Sequence, residues 1–377
     1  MKNFIKALYV DLINRIDVVI NDIKCREFHQ DIKDRFVYVT LNQLATLKNE
    51  LNTSLKNGEL EFDILASNNL FRFNKAHRDF KSIHSYRYLA LINYKEPEIF
   101  LNKIINKIYK EHRIFSLPPI VSTISNQDDY YWAHTFFELI ALPIGEEKSL
   151  LNLPDMYHEI GHFLTIMFQG KSSEISSALI DKYFNEEIVR VIDEGIAEKY
   201  KPLLEKVKYL WQSSWLEEFS SDLVGTYMTG AAYAWTNLKL LTTGHGSAKI
   251  YEYYPTHPSN EARMRIIILM LGKLGLSDDC KEVRHTWQAF LKDTEAFKPI
   301  DYPMIFPEKL LKYLVEEFYE FYQNADLASY ADLKNSSHKS IAGLLNEAWN
   351  QAKNNSSNYS EYEMKEIDAL KKKFWLL

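Results

Sequence analysis

The 377-residue chain contains only two cysteines, Cys25 and Cys280, and this scarcity excludes two kinds of site. A disulfide framework needs several cysteine pairs, and a cysteine-rich zinc site needs several thiolates. Because free thiols persist in a reducing compartment, the sequence predicts a cytoplasmic protein. The chain also lacks a run of about 18 apolar residues, so we expect no membrane span.

Neither sign of charge dominates, since 45 basic residues stand against 51 acidic ones and the net charge is −6. A dedicated nucleic-acid binder carries a basic surplus, so nucleic acid is not the expected partner. Hydrophobic residues, in contrast, make up 46% of the chain and aromatic residues 14%. This composition is typical of a globular protein with a large buried core.

Apolar residues recur at the helical spacings of three and four along most of the chain. An early example is the stripe formed by Phe4, Leu8, Leu12, Ile16, Val19 and Ile23. A short strand is predicted from Thr135 to Leu142, where an apolar and aromatic run ends at Pro143. The expected fold class is therefore mainly α (α+β), with a small sheet.

Two groups of prolines predict the division of the chain. Prolines cannot continue a helix, because they lack an amide donor and clash with the preceding turn. The first group is Leu117-Pro118-Pro119, and the second comprises Pro299, Pro303 and Pro307, interpreted as a linker. We therefore expect a helical N-terminal domain at 1–116, a central core at 117–298 and a helical C-terminal segment at 299–377.

The motif with the clearest chemical meaning is His158-Glu159-Ile160-Gly161-His162. Histidines four residues apart lie on one face of a helix, where both imidazoles can reach one zinc ion at about 2.0–2.1 Å. Zinc lowers the pKa of a bound water towards about 7, and Glu159 can then take the proton as general base. The structural alternative is a pair of hydrogen-bonded histidines on a buried helix without any metal.

A hydrolytic zinc site needs a third protein ligand and an open fourth position. Positions 165 and 168 hold threonine and phenylalanine, which excludes the metzincin pattern. Two later segments offer a glutamate with a second carboxylate four residues on, Glu194 with Glu198 and Glu218 with Asp222. In either segment the glutamate could bind metal while the second carboxylate orients a ligand histidine. A solvated acidic helix face is the alternative for both, and residue types alone leave the choice open.

Three motifs in this order resemble the gluzincin metallopeptidases, most closely the CAAX prenyl endopeptidases and HtpX-like proteases. They are the motif from His158 to His162, the segment from Glu218 to Asp222, and Thr256-His257-Pro258-Ser259 with Arg263 after it. The resemblance covers residues 135–265 and implies that region 117–298 is a zincin-like zinc metallopeptidase core. It favours Glu218 as third ligand, with Glu194 as the alternative, and Asp222 as the residue that fixes one histidine ring.

The family's histidine–proline motif also implies that His257 stabilises the oxyanion, and the alternative is a histidine in a tight proline-rich turn without a catalytic role. Ala141-Leu142-Pro143 is similar to the family signature that closes an edge strand, so a peptide is expected to add beside Ala141 and Leu142. The alternative is an ordinary core strand, which the apolar run also fits. The expected function is that of a zinc-dependent endopeptidase, with Zn²⁺ as cofactor and a protein or peptide as substrate. The alternative is a catalytically silent or gated binding or sensor protein with a zincin fold, and the oligomeric state is not indicated.

Overall fold

The computed structural model describes residues 2–56, 66–167, 172–242, 249–294, 296–334 and 339–375. Helices dominate these ranges and are accompanied by one three-stranded sheet, so the prediction of a mainly α fold is confirmed. In the described ranges, no helix combines the length and the apolar character needed to cross a membrane. Both cysteines are free thiols, Cys25 exposed and Cys280 buried.

The first of two compact units comprises Met1–Lys103 and Pro119–Ile144. Its helices are α1 (Lys2–Lys24), α2 (Gln30–Ile32), α3 (Tyr38–Lys56), α4 (Ala66–Ser82), α5 (Leu89–Ile92) and the first half of α6 (Glu96–Glu111). The predicted stripe of α1 is buried from Leu12 onward, whereas Phe4 is exposed and Ile5 and Tyr9 take its place in the core. This core also includes apolar residues of α3 and α4.

The sheet of the first unit consists of β1 (Ile120–Ser125), β2 (Trp132–His134) and β3 (Leu139–Pro143), in the order β1-β3-β2. β3 runs parallel to β1 and antiparallel to β2. The prediction of an edge strand at Ala141 and Leu142 is therefore wrong. Ala141 pairs with Ser122 on one side and with Trp132 on the other. Since both sides of β3 are paired within the sheet, a substrate peptide cannot add there.

The start of the predicted strand also differs. Thr135–Phe137 forms a 3₁₀ turn, and β3 begins only at Leu139. The two are separated by Glu138, whose φ of 52° lies in the left-handed region. A residue in that conformation interrupts an extended strand, which the apolar run in the sequence does not reveal.

The second unit comprises Ile104–Pro118 and Gly145–Leu377. Its helices beyond α6 are α7 (Asp155–Met167), α8 (Ser172–Asp193), α9 (Ala197–Leu210), α10 (Leu216–Thr229), α11 (Ala231–Thr242), α12 (Asn260–Lys273), α13 (Ser277–Asp293), α14 (Tyr302–Ile305), α15 (Glu308–Asn324), α16 (Tyr330–Lys334), α17 (Ile341–Asn354) and α18 (Tyr359–Trp375). The central helix is α10, where every residue from Glu218 to Thr229 is buried. It contacts α7, α11, α12, α15 and α17. A helix surrounded on all sides is typical of a core position.

These units differ from the three regions predicted from the prolines. β3 groups with the N-terminal helices, because its partner strand β1 and the core residue Leu139 lie in the first unit. Residues 299–377 do not form a separate segment, because α15 and α17 pack against α10. The second proline group is not a linker either. Phe306 is buried there and stacks on Trp215 with ring centroids 4.9 Å apart.

Candidate metal centre

The site is built where α7 crosses α10. α7 begins at Asp155, directly after Leu153-Pro154. Gly161 permits the crossing, since a Cβ at this position would lie 2.6 Å from the Cα of Ser221. One turn later, the hydroxyl of Thr165 lies 2.8 Å from that of Ser220. Small residues at these positions bring the two backbones close enough for side chains of both helices to meet.

The crossing brings together His158, His162 and Glu218. One ligand atom from each residue lies within 4.8 Å of the others. Nε2 of His158 is 3.6 Å from Oε2 of Glu218, and Nε2 of His162 is 3.8 Å from Oε1 of the same carboxylate. Two imidazole nitrogens and a carboxylate oxygen are the donors found in catalytic zinc sites with three protein ligands. This group can therefore bind a metal ion.

Carboxylates also contact the other ring nitrogen of each histidine. Oδ1 of Asp222 lies 3.1 Å from Nδ1 of His158, as its predicted orienting role requires. Oε1 of Glu217 lies 3.2 Å from Nδ1 of His162. Sequence reasoning did not select Glu217, although its position next to Glu218 was a usable signal. Both Nδ1 atoms thus face a carboxylate, which leaves both Nε2 atoms directed at Glu218.

Asp222 is in turn fixed by Arg263 of α12. Nε of Arg263 donates to Oδ2 at 2.8 Å, and Nη2 donates to Oδ1 at 2.6 Å. A bidentate pair of this kind restricts the rotation of the carboxylate. Burial opposes the charge of Asp222, but Arg263 holds the pKa of this carboxyl well below its usual range.

The charges of the ligand group compensate one another in the same way. Burial favours the neutral form of His158, yet the contacts with the carboxylates of Asp222 and Glu218 raise its pKa to about 10. Burial likewise works against the charge of Glu218, but the contact with His158 lowers the pKa of this carboxyl to about 2. A metal ion bound by this group would take the place of a proton between His158 and Glu218.

Glu159 lies on the same helix and is 6% exposed. Burial raises the pKa of its carboxyl, and the two neighbouring histidines oppose this shift only in part. A carboxyl with a raised pKa is closer to accepting and releasing protons near neutral pH, which is the property that a general acid–base needs.

The turn that carries His257 is held against the two residues that precede α10. Nε1 of Trp215 donates to the carbonyl of Tyr254 at 2.8 Å, and the hydroxyl of Ser214 donates to the carbonyl of Pro255 at 2.5 Å. Nε2 of His257 then lies 3.7 Å from Oε1 of Glu218. The imidazole is about half exposed, at 55%, and burial lowers its pKa.

Ser259 follows in this motif and caps α12, because its hydroxyl accepts from the amide of Ala262 at 3.3 Å. The cap fixes where the helix begins and places Arg263 one turn later, beside Asp222. A cavity of about 290 Å³ opens next to the motif and is lined in part by His257, Asn260 and Arg263. His257 of the histidine–proline motif thus lies beside the candidate metal centre.

Glu194, the alternative ligand, lies outside this group. Its two carboxylate oxygens each accept from Nη1 of Arg190 at 2.8 Å, and its side chain is 47% exposed. Gly195 ends α8 here with a φ of +71°, and α9 begins at Ala197. The expectation that Glu194 and Glu198 share one helix face is therefore wrong, because the helix stops between them.

Comparison of the chain with protein-family models, with curated proteins and with solved structures gives no match. The resemblance to gluzincins thus stands on the motif residues alone and stays a prediction. What the chain does must be inferred from the side chains of the candidate metal centre.

Proposed function

We propose that the chain is a zinc-dependent endopeptidase whose reaction takes place at the candidate metal centre. The observation that carries the proposal is the group of His158, His162 and Glu218, with one ligand atom from each within 4.8 Å of the others. The buried carboxyl of Glu159 on the same helix supports it further.

The donor set is compatible with zinc. His158 and His162 would supply the two Nε2 nitrogens that face Glu218, and Glu218 would supply a carboxylate oxygen. Three protein donors leave one position for water or substrate, as in hydrolytic sites. When bound, Zn²⁺ would supply a Lewis acid that polarises a peptide carbonyl and lowers the pKa of water.

The chain's own residues would move the protons. Glu159 accepts a proton from the attacking water and delivers it to the leaving amine, a role for which its raised pKa is suited. His257, half exposed beside Glu218, is placed to donate a hydrogen bond to the carbonyl oxygen as negative charge develops there. Asp222 and Glu217 hold the two ligand imidazoles from their Nδ1 sides.

The test of this proposal is Glu159→Gln, which keeps the size of the side chain but removes the base. We expect zinc content equal to wild type and peptide cleavage reduced by about 100-fold or more, the usual contribution of a general acid–base. Zinc is measured by elemental analysis and cleavage on a mixed peptide library. The matched control is Glu198→Gln on the exposed surface of α9, which should change neither quantity.

Wild-type cleavage by Glu159→Gln would contradict the general-base role. A wild-type protein that binds zinc stoichiometrically and cuts no peptide would favour the alternative, a silent or gated binding or sensor protein. A wild-type protein that binds no zinc would overturn the metal site itself.

A further inference from the structure

Tyr233 on α11 contacts the candidate metal centre, although neither its spacing nor its neighbours in the sequence point to it. Its side chain is buried, with 1% of the residue exposed. The hydroxyl donates to Oδ1 of Asp222 at 2.5 Å and lies 3.0 Å from Nδ1 of His158. The phenol ring is nearly parallel to the imidazole of His158, with an angle of 11° between the planes.

Two glycines allow Tyr233 to reach this position. Gly230 forms the turn between α10 and α11 with a φ of +64°, a conformation that favours glycine. Gly225 faces the phenol ring, and a Cβ at this position would lie 3.2 Å from three ring atoms. A side chain at position 225 would therefore crowd the ring of Tyr233.

The hydrogen bonds around Asp222 give the hydroxyl a definite role. An ionised carboxylate only accepts hydrogen bonds, and Oδ1 receives donors from Arg263 and Tyr233. Once the phenol proton points to Asp222, the phenol oxygen can only accept from His158. The oxygens of Asp222 and Tyr233 thus both favour a hydrogen on Nδ1 of His158. The lone pair of the imidazole is then on Nε2, the nitrogen that faces Glu218.

We propose that Tyr233 is a positioning residue of the metal centre. Its hydroxyl fixes the carboxylate of Asp222 and, with it, the tautomer and ring orientation of His158 that present Nε2 to the metal ion. This inference rests on the proposed function, because it requires the metal site formed by His158, His162 and Glu218. It adds a neutral hydroxyl to the carboxylates that already contact the two imidazoles.

The variant Tyr233→Phe tests the proposal, since it removes the hydroxyl and keeps the ring against Gly225. We expect zinc affinity, measured by competition with a chelator, to fall about 10- to 100-fold, the usual cost of losing a partner of a ligand histidine. The matched control is Tyr227→Phe on α10. The buried hydroxyl of Tyr227 donates to the backbone carbonyl of Leu327 at 2.9 Å, so its loss should leave zinc affinity unchanged.

A second readout separates positioning from general stability. The visible absorption spectrum of the Co²⁺-loaded protein reports ligand geometry, and it should change in Tyr233→Phe but not in Tyr227→Phe. Wild-type affinity together with a wild-type Co²⁺ spectrum in Tyr233→Phe would overturn the proposal.

If Tyr233→Phe does not fold, Gly225→Ala tests the same role. Its new methyl group displaces the ring of Tyr233 by a few tenths of an ångström. It should also weaken zinc binding, and unchanged affinity there would contradict the positioning role. Absence of zinc binding in the wild type would instead show that the metal site of the proposed function is wrong, and the role of Tyr233 with it.

Discussion

Two segments of this chain look alike in sequence and differ completely in the structure. Each presents a glutamate with a second carboxylate four residues later, Glu194 with Glu198 and Glu218 with Asp222. The second pair lies on the buried central helix α10 and meets the histidines of α7. The first pair is split by the end of α8, and both of its carboxylates are exposed.

One glycine near each segment accounts for this structural difference. Gly195 ends a helix and separates the two carboxylates that the spacing placed on one face. Gly161 lets α7 approach the backbone of α10 and so brings the histidines to Glu218. Spacing in the sequence is therefore informative only where the helix is continuous and a partner element lies against it.

The largest difference between the segments is expected in metal binding. Glu218→Ala removes a proposed ligand and should weaken zinc binding by more than about 100-fold, since loss of an orienting partner alone costs 10- to 100-fold. Glu194→Ala removes only an exposed partner of Arg190 and should bind zinc as the wild type does. Isothermal titration with Zn²⁺ measures both, and zinc loss in Glu194→Ala alone would reverse the assignment.

The second difference concerns folding stability in metal-free protein. Asp222→Ala leaves the largely buried guanidinium of Arg263 without its carboxylate, which should lower the free energy of unfolding by roughly 3–5 kcal/mol. Glu198→Ala changes an exposed side chain and should stay within about 0.5 kcal/mol of wild type. Urea denaturation measures both, and equal effects would show that the pair of Asp222 and Arg263 is not important for stability.

The smallest difference is expected for the two glycines. Gly161→Ala places a methyl group against Ser221 and should cost about 1–3 kcal/mol of stability, as overpacking does. It should also weaken zinc binding, because α7 must move away from α10. Gly195→Ala introduces strain at a positive φ, about 1–2 kcal/mol, without any change in zinc affinity. Unchanged zinc affinity in Gly161→Ala would contradict the importance of the close crossing.

The motif from His158 to His162 shows what the sequence predicts well. Helical spacing is a local property, so the shared helix face of the two histidines followed directly from it. The mainly α fold class followed from the same periodicity. The same spacing offered Asp222 and Glu198 as partners of a histidine, and the family resemblance favoured Asp222, which does contact His158.

Tyr233 and the central position of β3 did not follow from local spacing. The position of Tyr233 depends on how α11 folds back on α10, and that of β3 on which strands pair beside it. A proline likewise marks the end of a helix, but it does not show what packs beyond it. For this reason the second proline group predicted a linker, where Phe306 is in fact buried.

The central claim is that His158, His162 and Glu218 bind one zinc ion, and zinc-edge X-ray absorption tests it most directly. The wild type loaded with one equivalent of Zn²⁺ should show only nitrogen and oxygen ligands at about 2.0–2.1 Å, with scattering from two imidazoles. This shell should change in Glu218→Ala and persist in Glu194→Ala. A sulfur ligand at about 2.3 Å, fewer than two imidazoles, or a shell that changes in Glu194→Ala alone would contradict the claim.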